Sequence, residues 1–132
     1  MVNAHHREEA LKQLRPTIDV TAAVSPVEQF QNVSLRPILK FQNDLLVTLF
    51  KSHLGQRKVT LNGLQVGERN VAIRKMYKQD SVFKSIAIHT VVGLLLLEEL
   101  DFYFKHRSEL NRRICEMCAQ RIISQWGIES TV

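Results

Sequence analysis

The stretch Leu35-Arg36-Pro37-Ile38-Leu39-Lys40-Phe41-Gln42-Asn43-Asp44-Leu45-Leu46-Val47-Thr48-Leu49-Phe50 decides the fold class. Projected at about 100° per residue, Leu35, Ile38, Leu39, Phe41, Leu45, Leu46, Leu49 and Phe50 share one broad face. Lys40, Asp44 and Lys51 lie opposite, and Lys40 and Asp44 stand four apart, the spacing of a helical ion pair. A stripe of this width is the mark of an α-helix laid on a core.

Working back toward the N-terminus, Ser25-Pro26-Val27-Glu28 reads as the start of that helix. Ser25 can accept from the amide three residues on, Pro26 suits the first turn, and Glu28 can reach back to the cap amide. The helix is expected to run to Leu54, with Gly55 as its left-handed terminator, and to be kinked or split near Pro37, which lacks an amide and crowds the preceding turn. Before it, Asn3 to Leu14 form a first helix that Arg15-Pro16 ends. Thr17 to Val24 form a connector, so residues 1–24 are expected to be peripheral to the body.

Toward the C-terminus, Val59 to Val66 hold an Asn-Gly turn between short arms, a loop with the option of pairing locally. A third helix is expected from Glu68 to Gln79, and a fourth from Ser81, capped by Asp80 and weakened at Gly93. Glu98, Glu99 and Asp101 suit a new helix start, and the last long helix spans Ser108 to Trp126. The reading is all-α: a single-domain bundle of about five helices over residues 1–132. Five Gly and three Pro are too few for the many turns of a sandwich or barrel.

The most apolar segment, Ile86 to Leu97, is 12 residues long and contains His89 and Thr90; a membrane-spanning helix needs about 20. The N-terminus carries acidic residues and no apolar run, and two cysteines without a signal sequence fit a reducing cytoplasm. The net charge of +5 is spread along the chain: 8 basic and 5 acidic residues up to Val66, 10 and 8 after it. Without a basic tail, that balance argues against nucleic acid as the main partner. The residues such binding would use are Arg69, Arg74, Lys75 and Lys78.

No phosphate-binding loop, dinucleotide glycine pattern, nucleophile elbow or His-Glu-x-x-His is present, and no Glu has a His three positions later, as a di-iron bundle requires. Cys115-Glu116-Met117-Cys118 lies in mid-helix on the apolar arc, away from the helix N-terminus where a redox dithiol sits. Its thiols read as small core side chains. Glu98, Glu99 and Asp101 with His106 offer a metal set, but acids at a helix start need no metal to explain them. No catalytic residue, cofactor or metal is expected.

Four polar side chains, Gln42, His53, His89 and Arg121, fall on apolar faces or inside apolar segments and are candidates for lining a ligand pocket. The plain alternative is a satisfied core hydrogen bond for each, or an Arg whose head reaches water. The run Val91 to Leu97 has no polar face for two turns. It is either the central element of the bundle or a surface that another subunit covers, with Leu94, Leu95, Leu96 and Leu97 as the interface. A homodimer is the simplest form of the second option. The functional expectation is a non-catalytic helical protein that self-associates or docks a protein partner, with a small-ligand-binding bundle as the alternative.

The run Leu35 to Leu46, followed by Glu98-Glu99, Tyr103 and Glu109-Leu110-Asn111-Arg112-Arg113-Ile114, resembles a family of small uncharacterised bacterial helical proteins over about Val27 to Ile123. Some members carry the label "glyoxalase", which implies paired βαβββ modules with His and Glu ligands on strands. This chain has neither. Where the family pattern has His-Phe-Thr after the glycine, this chain has Leu94-Leu95-Leu96, so a role of that His or Thr is absent. The resemblance implies a helical fold and no function.

Overall fold

A computed structural model describes residues 4–20 and 22–126 of the chain. Its described residues form α-helices and one π turn, with no strand among them: α1 (Ala4–Leu14), α2 (Pro26–Phe30), the π turn Gln31–Leu35, α3 (Arg36–Phe41), α4 (Asn43–Gln56), α5 (Val66–Gln79), α6 (Ser81–Val92), α7 (Leu97–Lys105) and α8 (Arg107–Gln125). The all-α class is as expected; the estimate of about five helices is too low. The chain breaks at Gln42 and again before α7, where the sequence shows no proline.

Pro37 does not split the helix near Ser34. The turn ahead of it widens instead, and Arg36 N donates to the Gln31 carbonyl five residues back. A π turn is one way a helix admits a ring without an amide. The break falls later, at Gln42, where φ −87° and ψ 5° leave the helical basin. That step separates Lys40 from Asp44, and the ion pair expected from their spacing is not among those formed by the described residues.

The N-caps follow the sequence. Ser25 Oγ accepts from Glu28 N at 3.1 Å, and Asp80 accepts from Val82 N and Phe83 N. Glu28 reaches past the cap to Val24 N at 3.4 Å. The cap at Asn3 and the stop at Gly127 lie outside the described residues. Gly55 is not the left-handed terminator of α4. Lys58 is, with φ 56°, and its amide and that of Val59 return to the carbonyls of Gly55 and Leu54. Residues 59–65 form a turn without strand pairing, anchored by the buried Leu61.

α5 and α8 make the most extensive helix contact, and α6 closes on both. Leu35, Ile38, Leu39, Leu46, Ile73, Leu95, Leu110, Ile114 and Ile122 are fully buried. Phe50, Tyr77 and Phe83 bring α4, α5 and α6 together with ring centroids 5.7–5.8 Å apart. Phe30 stacks on Phe102 at 4.8 Å and joins α2 to α7.

The N-terminal helix α1 has no extended packing on any other helix. Side chains aimed at two helix ends hold it. Arg7 donates to the carbonyls of Gly93 and Leu95, Arg15 to that of Leu94, and Glu8 accepts from Leu97 N. Cations thus meet the carbonyls of the turn that follows α6, and an acid meets the first amide of α7, where the helix dipole favours negative charge.

Candidate functional site

A cleft of about 790 Å³ opens between α5, α6 and α8. Its rim carries Arg74 and Lys78 from α5, Lys84 from α6 and Arg112 from α8. Tyr77, Ile88, Cys115 and Ala119 form the floor, and Ser108, Asn111 and Glu116 complete the wall. The helical period produces this division. Arg74 and Lys78 stand one turn apart on the outer side of α5, whose inner side buries Ile73 and Tyr77. On α8, Asn111, Cys115 and Ala119 form one row and Ser108, Arg112 and Glu116 the next.

Four cations against one acid leave the lining at a formal +3. Glu116 is taken up by Arg112 at 3.0 Å. Arg74 donates to Gln120 at 3.3 Å, and Asn111 accepts from the Tyr103 hydroxyl at 2.6 Å. Lys78 and Lys84 make no ion pair among the described residues.

Burial holds the thiols at this helix in their protonated form. Burial pushes the Cys115 thiol up, against a partial pull from the Lys84 ammonium, and burial pushes Cys118 up further. Both are free thiols that stay protonated at neutral pH, so neither is a thiolate nucleophile. The Tyr77 phenol is pushed up too, by burial and then by the neighbouring thiols, and is no general base. What the cleft offers is fixed positive charge above an apolar floor. That combination can bind an anion with an apolar body.

The four polar residues singled out in the sequence do not converge. Gln42 donates to the Thr90 carbonyl at 3.0 Å and ties the α3–α4 break to α6. His53 meets the edge of Phe83 with centroids 6.0 Å apart. His89 is exposed, its Nδ1 satisfied by its own helix at Ser85 O, 2.8 Å away. Arg121, half-buried, donates to Asn43 Oδ1 at 3.2 Å. Each has a local partner, and no described recess contains two of them.

The leucine run is likewise not an open surface. Leu95 is 0% and Leu96 7% exposed within the chain's own fold, Leu94 is half-buried, and Leu97 alone is open, at 49%. The run is the bend between α6 and α7 that α1 covers. Its oiliness comes from the central position, the other option the sequence left open. The acid nearby serves this bend: Glu99 accepts from Arg15, Ser34 and Leu96 N, while His106 lies tilted against Phe102 with centroids 4.4 Å apart. No group of three or more His, Cys, Asp or Glu able to hold a metal occurs among the described residues.

Of the residues considered for nucleic acid, Arg69 lies over the Trp126 ring at 5.1 Å, and Arg74 and Lys78 belong to the cleft rim. Sequence reasoning missed Lys84, Arg112 and Asn111. Their sequence signal is that of polar residues on helix faces away from the core, which any solvated helix shows. No helix among the described residues is long and apolar enough to cross a membrane. Comparison with protein-family models, with curated proteins and with solved structures finds no match to this chain.

Proposed function

We propose that this protein is a non-catalytic helical binding module. Its working surface is the cleft between α5, α6 and α8, and its ligand is a small anionic amphiphile, a carboxylate or phosphate head on an apolar chain or ring. One observation carries the reading: Lys78 and Lys84 flank a floor made of Tyr77, Ile88, Cys115 and Ala119 in a recess of about 790 Å³. That size lies within the range of small-molecule sites, about 300–1,000 Å³. A concave floor with Glu116 in its wall suits such a ligand better than a nucleic-acid backbone, which is tracked by a positive groove with aromatic stacking platforms.

The test is calorimetric titration of the full chain with laurate, with dodecyltrimethylammonium as the opposite-charge control. Laurate is expected to bind and the cation not to. The Lys78→Glu, Lys84→Glu double variant is expected to weaken laurate at least tenfold while its circular dichroism stays helical. Equal affinity for both amphiphiles, or an unchanged affinity in the double variant, refutes the proposal. Tight, steeply salt-dependent binding of an oligonucleotide without laurate binding would favour the nucleic-acid reading instead.

A further inference from the structure

The positive charge of the chain is concentrated once it is divided by its fold. Residues 51–80 run from the last turns of α4 through the turn 59–65 to the end of α5, and they hold 7 of the 18 basic and 2 of the 13 acidic residues. That segment accounts for the whole net charge of +5, since the other residues balance at 11 and 11. Halving the chain at Val66 cuts the segment in two and hides it. All of its cations except Arg69 are exposed. Arg57 pairs with Asp80 at 2.6 Å, while Lys51, Lys58, Lys75 and Lys78 make no ion pair among the described residues.

The same segment exposes aliphatic side chains. Val71 and Val66, at 63% and 61%, are the most exposed large hydrophobics on any described helix, and Val59 and Leu64 in the turn are exposed with them. The fold lays the turn against the helix. The Arg57–Asp80 pair ties the end of α4 to the far end of α5, whose 14 residues at about 1.5 Å each put its start about 21 Å away. The chain from Lys58 to Gln65 therefore runs back along α5, anchored by the buried Leu61. On α5, Ile73 and Tyr77 are turned to the core, so Val71, Arg74, Lys75 and Lys78 share the outer face. Glu68 is the one acid of that helix.

We propose that this face docks on the surface of an anionic lipid bilayer, with the valines at the acyl boundary and the lysines among the headgroups. Attachment of this kind grows with the apolar area buried and with the attraction of basic side chains to acidic lipid, and one face supplies both. A nucleic-acid strand would match the charge but not the aliphatics, and it stacks on exposed aromatic rings. Tyr77, the only Phe, Tyr or Trp in residues 51–80, is buried. The face adjoins the cleft, whose rim takes Arg74 and Lys78 from the same helix, but it does not rest on the ligand proposed there.

The experiment is co-sedimentation of the full chain with vesicles of phosphatidylcholine alone, and of phosphatidylcholine and phosphatidylglycerol in equal parts, at low and high sodium chloride. The protein is expected to pellet with the mixed vesicles, far less with phosphatidylcholine, and to be released as salt rises. Lys58→Gly with Lys75→Gln removes two exposed cations and is expected to weaken binding about tenfold or more. Lys12→Gln with Lys105→Gln makes the same change in net charge outside the segment and is expected to keep binding within about twofold. Val66→Ser with Val71→Ser is expected to weaken binding several-fold with its salt dependence unchanged. Both valines are exposed, so the helical circular dichroism should persist. None of the substituted residues lines the cleft, so laurate binding should survive in every variant, and the failure of either proposal leaves the other standing. No binding to mixed vesicles at low salt, equal binding to both compositions, or undiminished binding by either variant of the segment overturns the proposal. Tight binding of an oligonucleotide without vesicle binding overturns it in favour of nucleic acid.

Discussion

Replacing Arg15 with Ala should detach α1 and cost more stability than an ordinary surface ion pair. One Arg15 guanidinium donates twice to Glu99, at 2.7 and 2.5 Å, and once to the Leu94 carbonyl at 3.1 Å. The two side chains are only 15% and 13% exposed. Breaking a buried pair from one side costs about 3–5 kcal/mol, because the other charge is left without compensation. Here Glu99 keeps the Ser34 hydroxyl at 2.6 Å and the Leu96 amide at 2.7 Å, and water can enter where Arg15 stood. Those remaining bonds lower the expected cost to about 2–4 kcal/mol, a fall in Tm of roughly 6–20 °C for a chain of this size.

The pH dependence follows from the same contacts. Burial pushes the Glu99 carboxyl up, but hydrogen bonds from Arg15, Ser34 and the Leu96 amide, with the charge of Arg15, outweigh it and hold the group below its ordinary value. A carboxylate with a lowered folded pKa contributes stability that is complete above its unfolded pKa and lost as pH falls through the folded one. Urea unfolding at neutral pH, and again below the usual carboxylate range, should therefore show wild type losing a contribution that Glu99→Gln never had. A double-mutant cycle between Arg15→Ala and Glu99→Gln should give a coupling of at least about 1 kcal/mol. Two single variants each within about 0.5 kcal/mol of wild type, with additive effects, would refute the claim that this pair holds α1.

Two further expectations follow from local geometry. Lys58→Gly should stabilise the protein by about 0.5–1 kcal/mol in urea unfolding, since an L side chain at φ 56° costs about 1–2 kcal/mol and glycine's larger unfolded entropy takes back about half of that; a loss of stability would mean that Lys58 makes a compensating contact. Iodoacetamide at neutral pH should leave Cys118 unmodified until the chain unfolds and label Cys115 slowly, faster at alkaline pH, as peptide mass spectrometry can follow; rapid labelling of both would contradict their burial.

The helix caps were legible because a cap is a local device. Ser25 and Asp80 satisfy amides two or three residues away, and the sequence contains both partners. The Gln42 break and the left-handed Lys58 were not legible. Neither position carries a glycine or proline, so each conformation is set by what the flanking helices pack against. Gln42 is held by the Thr90 carbonyl, 48 residues on. The role of Arg15 was hidden in the same way. It reads as the last polar residue before a proline, and its carboxylate partner lies 84 residues later.

The scatter of Gln42, His53, His89 and Arg121 has a geometric cause. A helical wheel gives the direction of a side chain around its axis and discards its height along it. Gln42 and His53 share a direction, but 11 positions at about 1.5 Å each put them roughly 16 Å apart. The same projection ignores what stands across the interface. Thr90 O faces Gln42 and the Phe83 ring faces His53, so each finds its own partner and neither faces a common void. The recess lined by Arg36, Lys40 and Arg121 shows the converse. Arg36 and Lys40 look like an ordinary solvated face of α3, and only the approach of α8 and the connector turns them toward Arg121. Side chains on one helix read as a solvated face; only the neighbouring helix decides whether they line a recess, and the sequence of either helix alone does not distinguish the two.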